Sequence, residues 1–246
     1  MCSGCFFFSE DPAVKNRHSY FTPTEIALWS TSVLGIVLFF LLFDRENYTT
    51  LIASLIGVTS LIFNAKGNPI GQALMVVFSL LYGGISYTFA YYGEMITYLG
   101  MTLPMAVVAL VAWLRHPFRG NRAEVEVQRL SSREWGLAVL LTLMVTVLFS
   151  LLLFWLDTAH LLPSSLSVAT SFLAVYLTFR RSPYFALVYA ANDLVLILLW
   201  ILASLEEIRY LSVVICFLAF LANDLYGFLQ WRRMERRQAG TEGIKE

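Results

Sequence analysis

Two copies of one short motif hold most of the polar chemistry inside this chain's apolar stretches: Asn192-Asp193-Leu194-x-x-x-Leu198-x-Trp200 and Asn223-Asp224-Leu225-x-x-x-Leu229-x-Trp231. In each, Asp and Trp stand seven residues apart. That is about two helical turns, which puts carboxylate and indole on one helix face roughly 10 Å apart. An amide, a carboxylate and an indole on one face suit a ligand with a flat ring and hydroxyl groups. The first two bond the polar part, and the indole stacks on the ring. The competing reading is a structural polar pair that holds helices together. Asn192 and Asp193 fall near the middle of their apolar stretch, where an ionisable group is costly and usually faces a cavity. For Asn223 and Asp224 the two readings are level. Trp231, beside Arg232 and Arg233, reads equally well as an interfacial anchor.

A second polar group surrounds Pro69 and Gly71: Asn64, Asn68 and Gln72. Gln72 enters an apolar run and is placed to hydrogen-bond a ligand, whereas Asn64 and Asn68 serve equally well as loop caps. Tyr82, Tyr87, Tyr91 and Tyr92 read as packing and belt aromatics, with Tyr82 the deepest. The sequence contains no H-E-x-x-H, P-loop, G-x-S-x-G or dinucleotide fingerprint, so catalytic residues and cofactors are not expected. The histidines His18, His116 and His160 lie in separate loops. Cys2-x-x-Cys5 has metal-like spacing but lacks a second ligand pair, and Cys216 reads as packing in an apolar helix; no metal site is expected. A net charge of zero predicts no nucleic-acid partner.

The elements that position these residues are membrane helices. The chain has 246 residues, 58% hydrophobic and 14% charged, against about a quarter charged in soluble domains. Eight runs are long enough to cross a ~30 Å hydrocarbon core. They are Ile26–Phe43, Asn47–Ala65, Pro69–Tyr92, Met95–Leu114, Trp135–Leu156, Leu161–Phe179, Ser182–Leu205 and Tyr210–Trp231. They are continuously apolar rather than alternating, which argues against a β-barrel. The first 25 residues are polar and do not have a signal-peptide profile. With eight spans, fifteen Lys and Arg fall on the side of the termini and only Arg45 and Arg209 on the other, which predicts cytoplasmic N- and C-termini.

The hydrophobic rhythm also recurs. Ser54-Leu55-x-x-x-Thr59-Ser60 returns as Ser165-Leu166-x-x-x-Thr170-Ser171, 111 residues on, and Glu94-x-Ile96-x-Tyr98-Leu99 returns as Glu206-x-Ile208-x-Tyr210-Leu211, 112 residues on. The expected organisation is a cytoplasmic segment over 1–25, an extra helix over 26–46 and a first three-helix repeat over 47–114. A basic loop over 115–134, a linker helix over 135–157, a second repeat over 161–232 and a charged tail over 233–246 follow. Four crossings from one repeat to the next return the chain to the same side, so the repeats run parallel, an architecture used by transporters that bind substrate between repeats. The basic loop reads as a topogenic linker, with a regulatory or lipid contact as the alternative. Residues 238–246 read as disordered.

The segments Asn64-Ala-Lys-Gly-Asn-Pro69-Ile-Gly71-Gln72, Tyr92-Gly-Glu94-Met-Ile-Thr-Tyr98-Leu-Gly-Met-Thr-Leu-Pro104, Trp113-Leu-Arg-His-Pro117 and Asn223-Asp-Leu-Tyr-Gly-Phe-Leu-Gln-Trp231 resemble the PnuC family of nicotinamide riboside transporters. The resemblance covers roughly residues 20–235. It implies an all-α membrane protein with two parallel three-helix bundles, a linker helix as in the SWEET proteins, and one extra N-terminal helix. It further implies facilitated diffusion of an unphosphorylated vitamin precursor across the plasma membrane, trapped by a cytosolic kinase. The family's N-x-x-[N/W]-x-P-x-G pattern falls on Asn64, Gly67, Pro69 and Gly71, with Gly67 in place of Asn or Trp. Its W-x-x-W pair falls on Ala186 and Tyr189. With both indoles replaced, thiamine and riboflavin stay open as substrates, as does a proton-coupled version carried by Asp193. The expected substrate contacts are Asn64, Gln72, Tyr189, Asn192, Asp193 and Asn223, with Trp200 as a stacking wall. The bilayer is the expected surrounding, and a homo-oligomer is compatible with the sequence. A membrane-embedded enzyme or a partner subunit has thin support, because no nucleophile–base pair or metal site is visible.

Overall fold

The computed structural model describes residues 20–43, 45, 47–88, 95–157 and 160–242. Among them, eight helices are long and apolar enough to cross a membrane. Helix α1 covers Pro23–Phe43, α2 Tyr48–Ala65 and α3 Pro69–Thr88; α4 covers Leu103–Arg115 and is entered through a π-helical turn, Thr97–Thr102. A hairpin of β1 (Pro117–Phe118) and β2 (Asn121–Val125) follows, then α5 (Ser132–Trp155), α6 (Leu161–Phe179), α7 (Phe185–Glu206) and α8 (Leu211–Glu242). Cys2, Cys5, His18, Tyr91, Tyr92 and Glu94 lie outside the described residues.

Local sequence explains where the helices begin. Asn68 Oδ1 accepts from the backbone N–H of Ile70 at 2.9 Å and Pro69 takes the first position of α3, an N-cap followed by a residue with no N–H to orphan. Ser131 and Glu134 form a capping box at the head of α5, which satisfies two orphan donors reciprocally. Pro104 sits in the first turn of α4 and cannot donate back to the preceding turn. The backbone there widens, with the Leu103 N–H reaching Tyr98 O and the Thr102 hydroxyl reaching Thr97 O. Such π turns concentrate at functional sites.

Six helices close into a ring. Contacts run α2–α3, α3–α4, α4–α6, α6–α7, α7–α8 and α8–α2. The three-helix repeats α2–α4 and α6–α8 therefore meet along two reciprocal seams, the third helix of each against the first helix of the other. α5 packs outside against α6, and α1 packs outside against α2 and α8. Much of α5 is exposed, including Leu143, Met144, Val147 and Leu151, as a lipid-facing linker requires. In lipid the hydrophobic effect does not pull helices together, so close packing and hydrogen bonds must. Gly71 shows how close: a Cβ there would lie 2.2 Å from Asn64 Oδ1 and 2.7 Å from the Asn64 backbone nitrogen.

The end of the ring that carries the basic residues is strapped. The hairpin turn is Arg119-Gly120, both with positive φ (50° and 79°), as a two-residue type I′ turn needs. Beyond it the chain donates to a turn of each repeat: Val125 N–H to Gly67 O at 2.9 Å and Gln128 N–H to Arg181 O at 3.0 Å. The expected disorder is corrected over residues 238–242, while 243–246 lie outside the described residues. Helix α8 continues through Glu242, because Gln238 accepts from the Val127 N–H and donates to Glu124 and Val125 O. Ion pairs Arg129–Glu235 and Arg237–Glu124 flank it. The basic loop is thus a folded strap between the repeats.

Candidate functional site

Within the ring lies a cavity of about 120 Å³, lined by α2, α3, the π turn that leads into α4, α6, α7 and α8, with Leu153 of α5 at its side. Its two walls differ in chemistry. Repeat one supplies rings: Phe78 and Tyr82 of α3 and Tyr98 of the π turn. Their centroids lie 5.5 Å (Phe78–Tyr82), 4.5 Å (Tyr82–Tyr98) and 5.9 Å (Phe78–Tyr98) apart, within the range of favourable aromatic pairs. Repeat two supplies most of the polar groups, Ser164, Ser167 and Ser171 from α6, Asn192 and Asp193 from α7 and Asp224 from α8, and adds the rings of Phe217 and Phe220; repeat one adds the hydroxyls of Thr97 and Thr102.

Asn192 is the hub of the polar wall. Its Oδ1 accepts from the hydroxyls of Ser167 (3.2 Å), Thr170 (2.8 Å) and Ser171 (3.1 Å). Three donors on one oxygen commit that oxygen and leave the amide N–H groups as what Asn192 can offer a ligand. Asp193 is 3% exposed, and its Oδ2 meets no N–H or hydroxyl donor. Its carboxyl instead faces that of Asp224 across the α7–α8 contact, both lining the cavity. Tyr189, one turn from Asp193, also lines the cavity. Among the described residues no Lys, Arg or His lines it.

Four other expected contacts lie elsewhere. Gln72 donates to Asn64 Oδ1 at 2.9 Å in a buried joint between α2 and α3, beside Gly71. Asn64 is further committed through its backbone carbonyl, which accepts from Trp231 Nε1 at 2.7 Å. Asn223 faces α1, donating to Ser32 Oγ at 3.0 Å and Ala219 O at 2.7 Å. Trp200 packs in the apolar core, its ring 5.4 Å from that of Tyr210, so it stacks within the protein rather than on the cavity. Asp224, not Asn223, reaches the cavity, because adjacent residues of a helix point about 100° apart.

The sequence reading missed the α6 hydroxyls and the Phe78–Tyr98 wall. A signal for the former was present: Ser164, Ser167 and Ser171 sit at i, i+3 and i+7, one face of a helix.

Toward the basic end, the two seams are joined by a reciprocal pair of indoles. Trp113 of α4 donates from Nε1 to Thr178 O of α6 at 2.9 Å; Trp231 of α8 donates to Asn64 O of α2. Each third helix thus bonds the last turn of the other repeat's first helix. The two rings lie 5.4 Å apart, Phe185 stacks edge-on against Trp231 at 4.8 Å, and both indoles are fully buried. Helix α1 is held by polar contacts of its own: Glu25, 2% exposed, pairs with Lys66 at 3.1 Å, and Trp29 Nε1 donates to Thr59 Oγ1. Among the described residues no group of three His, Cys, Asp or Glu side chains could hold a metal.

The chain is 27% identical over 219 residues to the nicotinamide riboside transporter PnuC of Neisseria mucosa, covering 87% of this chain and 83% of that protein. A crystal structure of the vitamin B3 transporter PnuC superposes with a TM-score of 0.76, covering 89% of this chain and 94% of that one at 23% identity, which establishes the shared fold. Residues 47–233, the whole six-helix ring with its linker, match the family model described as nicotinamide mononucleotide transporter. That span is well over half of the chain, and the protein belongs to this family of membrane transporters.

Proposed function

We propose that the protein carries nicotinamide riboside across the plasma membrane by facilitated diffusion, with its basic end and both termini in the cytoplasm and a cytosolic kinase trapping the product. The observation that carries this reading is the two-sided cavity. An aromatic wall of Phe78, Tyr82 and Tyr98 faces the Asn192 amide, the Asp193–Asp224 carboxyls and the α6 hydroxyls, a match for a planar ring joined to a ribose. Tyr189, Asn192, Asp193 and Asp224 are the proposed contacts. Gln72, Asn64, Asn223 and Trp200 hold the walls in place.

The same cavity favours the riboside over the mononucleotide. A phosphate group would enter a site with two carboxyls and, among the described residues, no cationic side chain in its lining. An anion buried without a partner is strongly disfavoured. The Trp113–Trp231 pair joins both seams toward the basic end, so delivery to that side requires the seams α4–α6 and α2–α8 to part by rocking of one repeat against the other. The fifteen-to-two charge asymmetry supports placing the basic end in the cytoplasm.

Thermal stabilisation of the purified protein tests the substrate. Nicotinamide riboside at 100 times its Kd should stabilise by about 2.7 kcal/mol through mass action, whereas nicotinamide mononucleotide, thiamine and riboflavin should not. Stabilisation by thiamine or riboflavin alone would reassign the substrate.

A further inference from the structure

We propose that Asp193 and Asp224 work as one charge-selecting unit: with ligand bound, the pair holds one shared proton and one negative charge against a cationic aromatic ring, so the site selects a positively charged ring over its neutral isosteres. This rests on the substrate reading above and adds the physical basis of its selectivity.

The geometry leads there in three steps. First, the two carboxyls line one cavity and face each other across the α7–α8 contact, and Asp193 Oδ2 has no N–H or hydroxyl donor. An ionised carboxylate only accepts, so two carboxyls in such contact need a proton between them. Second, among the described residues that line the cavity none is a Lys, Arg or His that could serve the pair as counter-ion. The titratable groups facing it are Tyr189 on α7, Tyr82 of α3, Tyr98 of the π turn and Cys216 of α8, none of which carries positive charge. Helix α6 contributes hydroxyls that are already turned onto Asn192. Third, a buried charge is tolerated only when paired. A ligand that brings its own cation, as the ring nitrogen of a pyridinium riboside does, supplies the missing partner, and the aromatic wall opposite can hold the same ring by its face.

The discriminating probe is benzamide riboside, in which a neutral ring carbon replaces the charged nitrogen. Binding to the purified protein would be measured for nicotinamide riboside and benzamide riboside across a pH series. Nicotinamide riboside should bind at least about tenfold more tightly. Its advantage should fade as acid adds a second proton to the pair, while benzamide riboside binding stays flat. Asp193→Asn leaves one carboxylate facing an amide donor. It keeps the charge without a shared proton, so the preference should persist into more acidic solution. Asp193→Asn with Asp224→Asn should bind both ligands alike. Equal affinity of the two ligands for the native protein, or an intact preference in the doubly substituted protein, would overturn the charge assignment alone. Failure to bind nicotinamide riboside at any pH would overturn the substrate reading and this one together. Should the doubly substituted protein not fold, the native comparison and the single substitution decide the matter.

Discussion

The two repeats share a backbone plan and differ in what they present to the cavity. Each ends its first helix in a turn whose central residue has positive φ, Gly67 at 65° and Arg181 at 56°, with Pro69 or Pro183 two residues on. Each receives an indole N–H from the other repeat's third helix on that first helix's last turn. Yet repeat one turns Phe78, Tyr82 and Tyr98 inward, and repeat two turns Asn192, Asp193 and Asp224. Both repeats carry what the ring needs to close, because a broken seam fails everywhere. The cavity faces can differ, since a ligand with one flat end and one polar end is served by unlike walls.

The sharpest way to break that comparison is to remove the amide on each side. Asn192→Leu strips the hub from three hydroxyls that can fall back on carbonyls of their own helix, as Thr170 already does with Leu166 O. It should lower riboside affinity by about 10- to 100-fold while the melting temperature moves little. Gln72→Leu should do the opposite. It orphans Asn64 Oδ1 in a buried joint and should cost about 1–3 kcal/mol of stability with affinity nearly intact. Binding titrations paired with melting curves on both variants check this; a large affinity loss in Gln72→Leu would mean that repeat one also contributes polar contacts.

The outcome at Gln72 illustrates what sequence can and cannot carry. The eight spans were legible because twenty apolar residues in a row have few other uses, and the parallel repeats followed from counting crossings. Asn192 and Asp193 stood out because polar groups deep in apolar helices are rare, and Tyr189 through the family resemblance; all three line the cavity. Spacing, however, fixes which residues share a helix face and not which neighbour that face meets. Asp193 and Trp200 do share a face of α7, but over two turns the neighbour changes from cavity to packed core. The end of α8 misled for another reason. The small and charged residues from Gln238 onward look unstructured until Gln238 finds the hairpin, a contact between residues more than a hundred positions apart.

A smaller effect, and a symmetrical one, is expected at the indoles. Trp113→Phe and Trp231→Phe each remove one N–H and leave a buried carbonyl short of a donor, about 1–2 kcal/mol apiece. Because the rings touch each other, the double variant should depart from additivity by about 0.5 kcal/mol or more. Unfolding measurements on the single and double variants give the coupling. Strongly unequal single costs would show that the two seams are not equivalent and that one is the hinge about which the other opens.

The paired turns should show one effect of similar size and the smallest of all. Gly67→Ala places a Cβ 3.1 Å from Met234 Cε and 3.3 Å from Val125 Cγ1 at a φ that side chains resist, and should cost about 1–2 kcal/mol. Arg181 pays that backbone strain in the native protein. What holds it there is its guanidinium, which donates to Gln128 Oε1 at 3.0 Å beneath the strap. Burial pulls the guanidinium below its ordinary pKa, and the nearby Glu126 carboxylate opposes that pull. Arg181→Gly therefore relieves strain and loses an anchor at once, so its stability should stay within about 1 kcal/mol of the native value, while the strap loosens. Faster amide exchange at Gln128 with an unchanged melting temperature would fit that trade. A clear rise in stability would mean that the arginine is retained for a contact made only when the basic end opens.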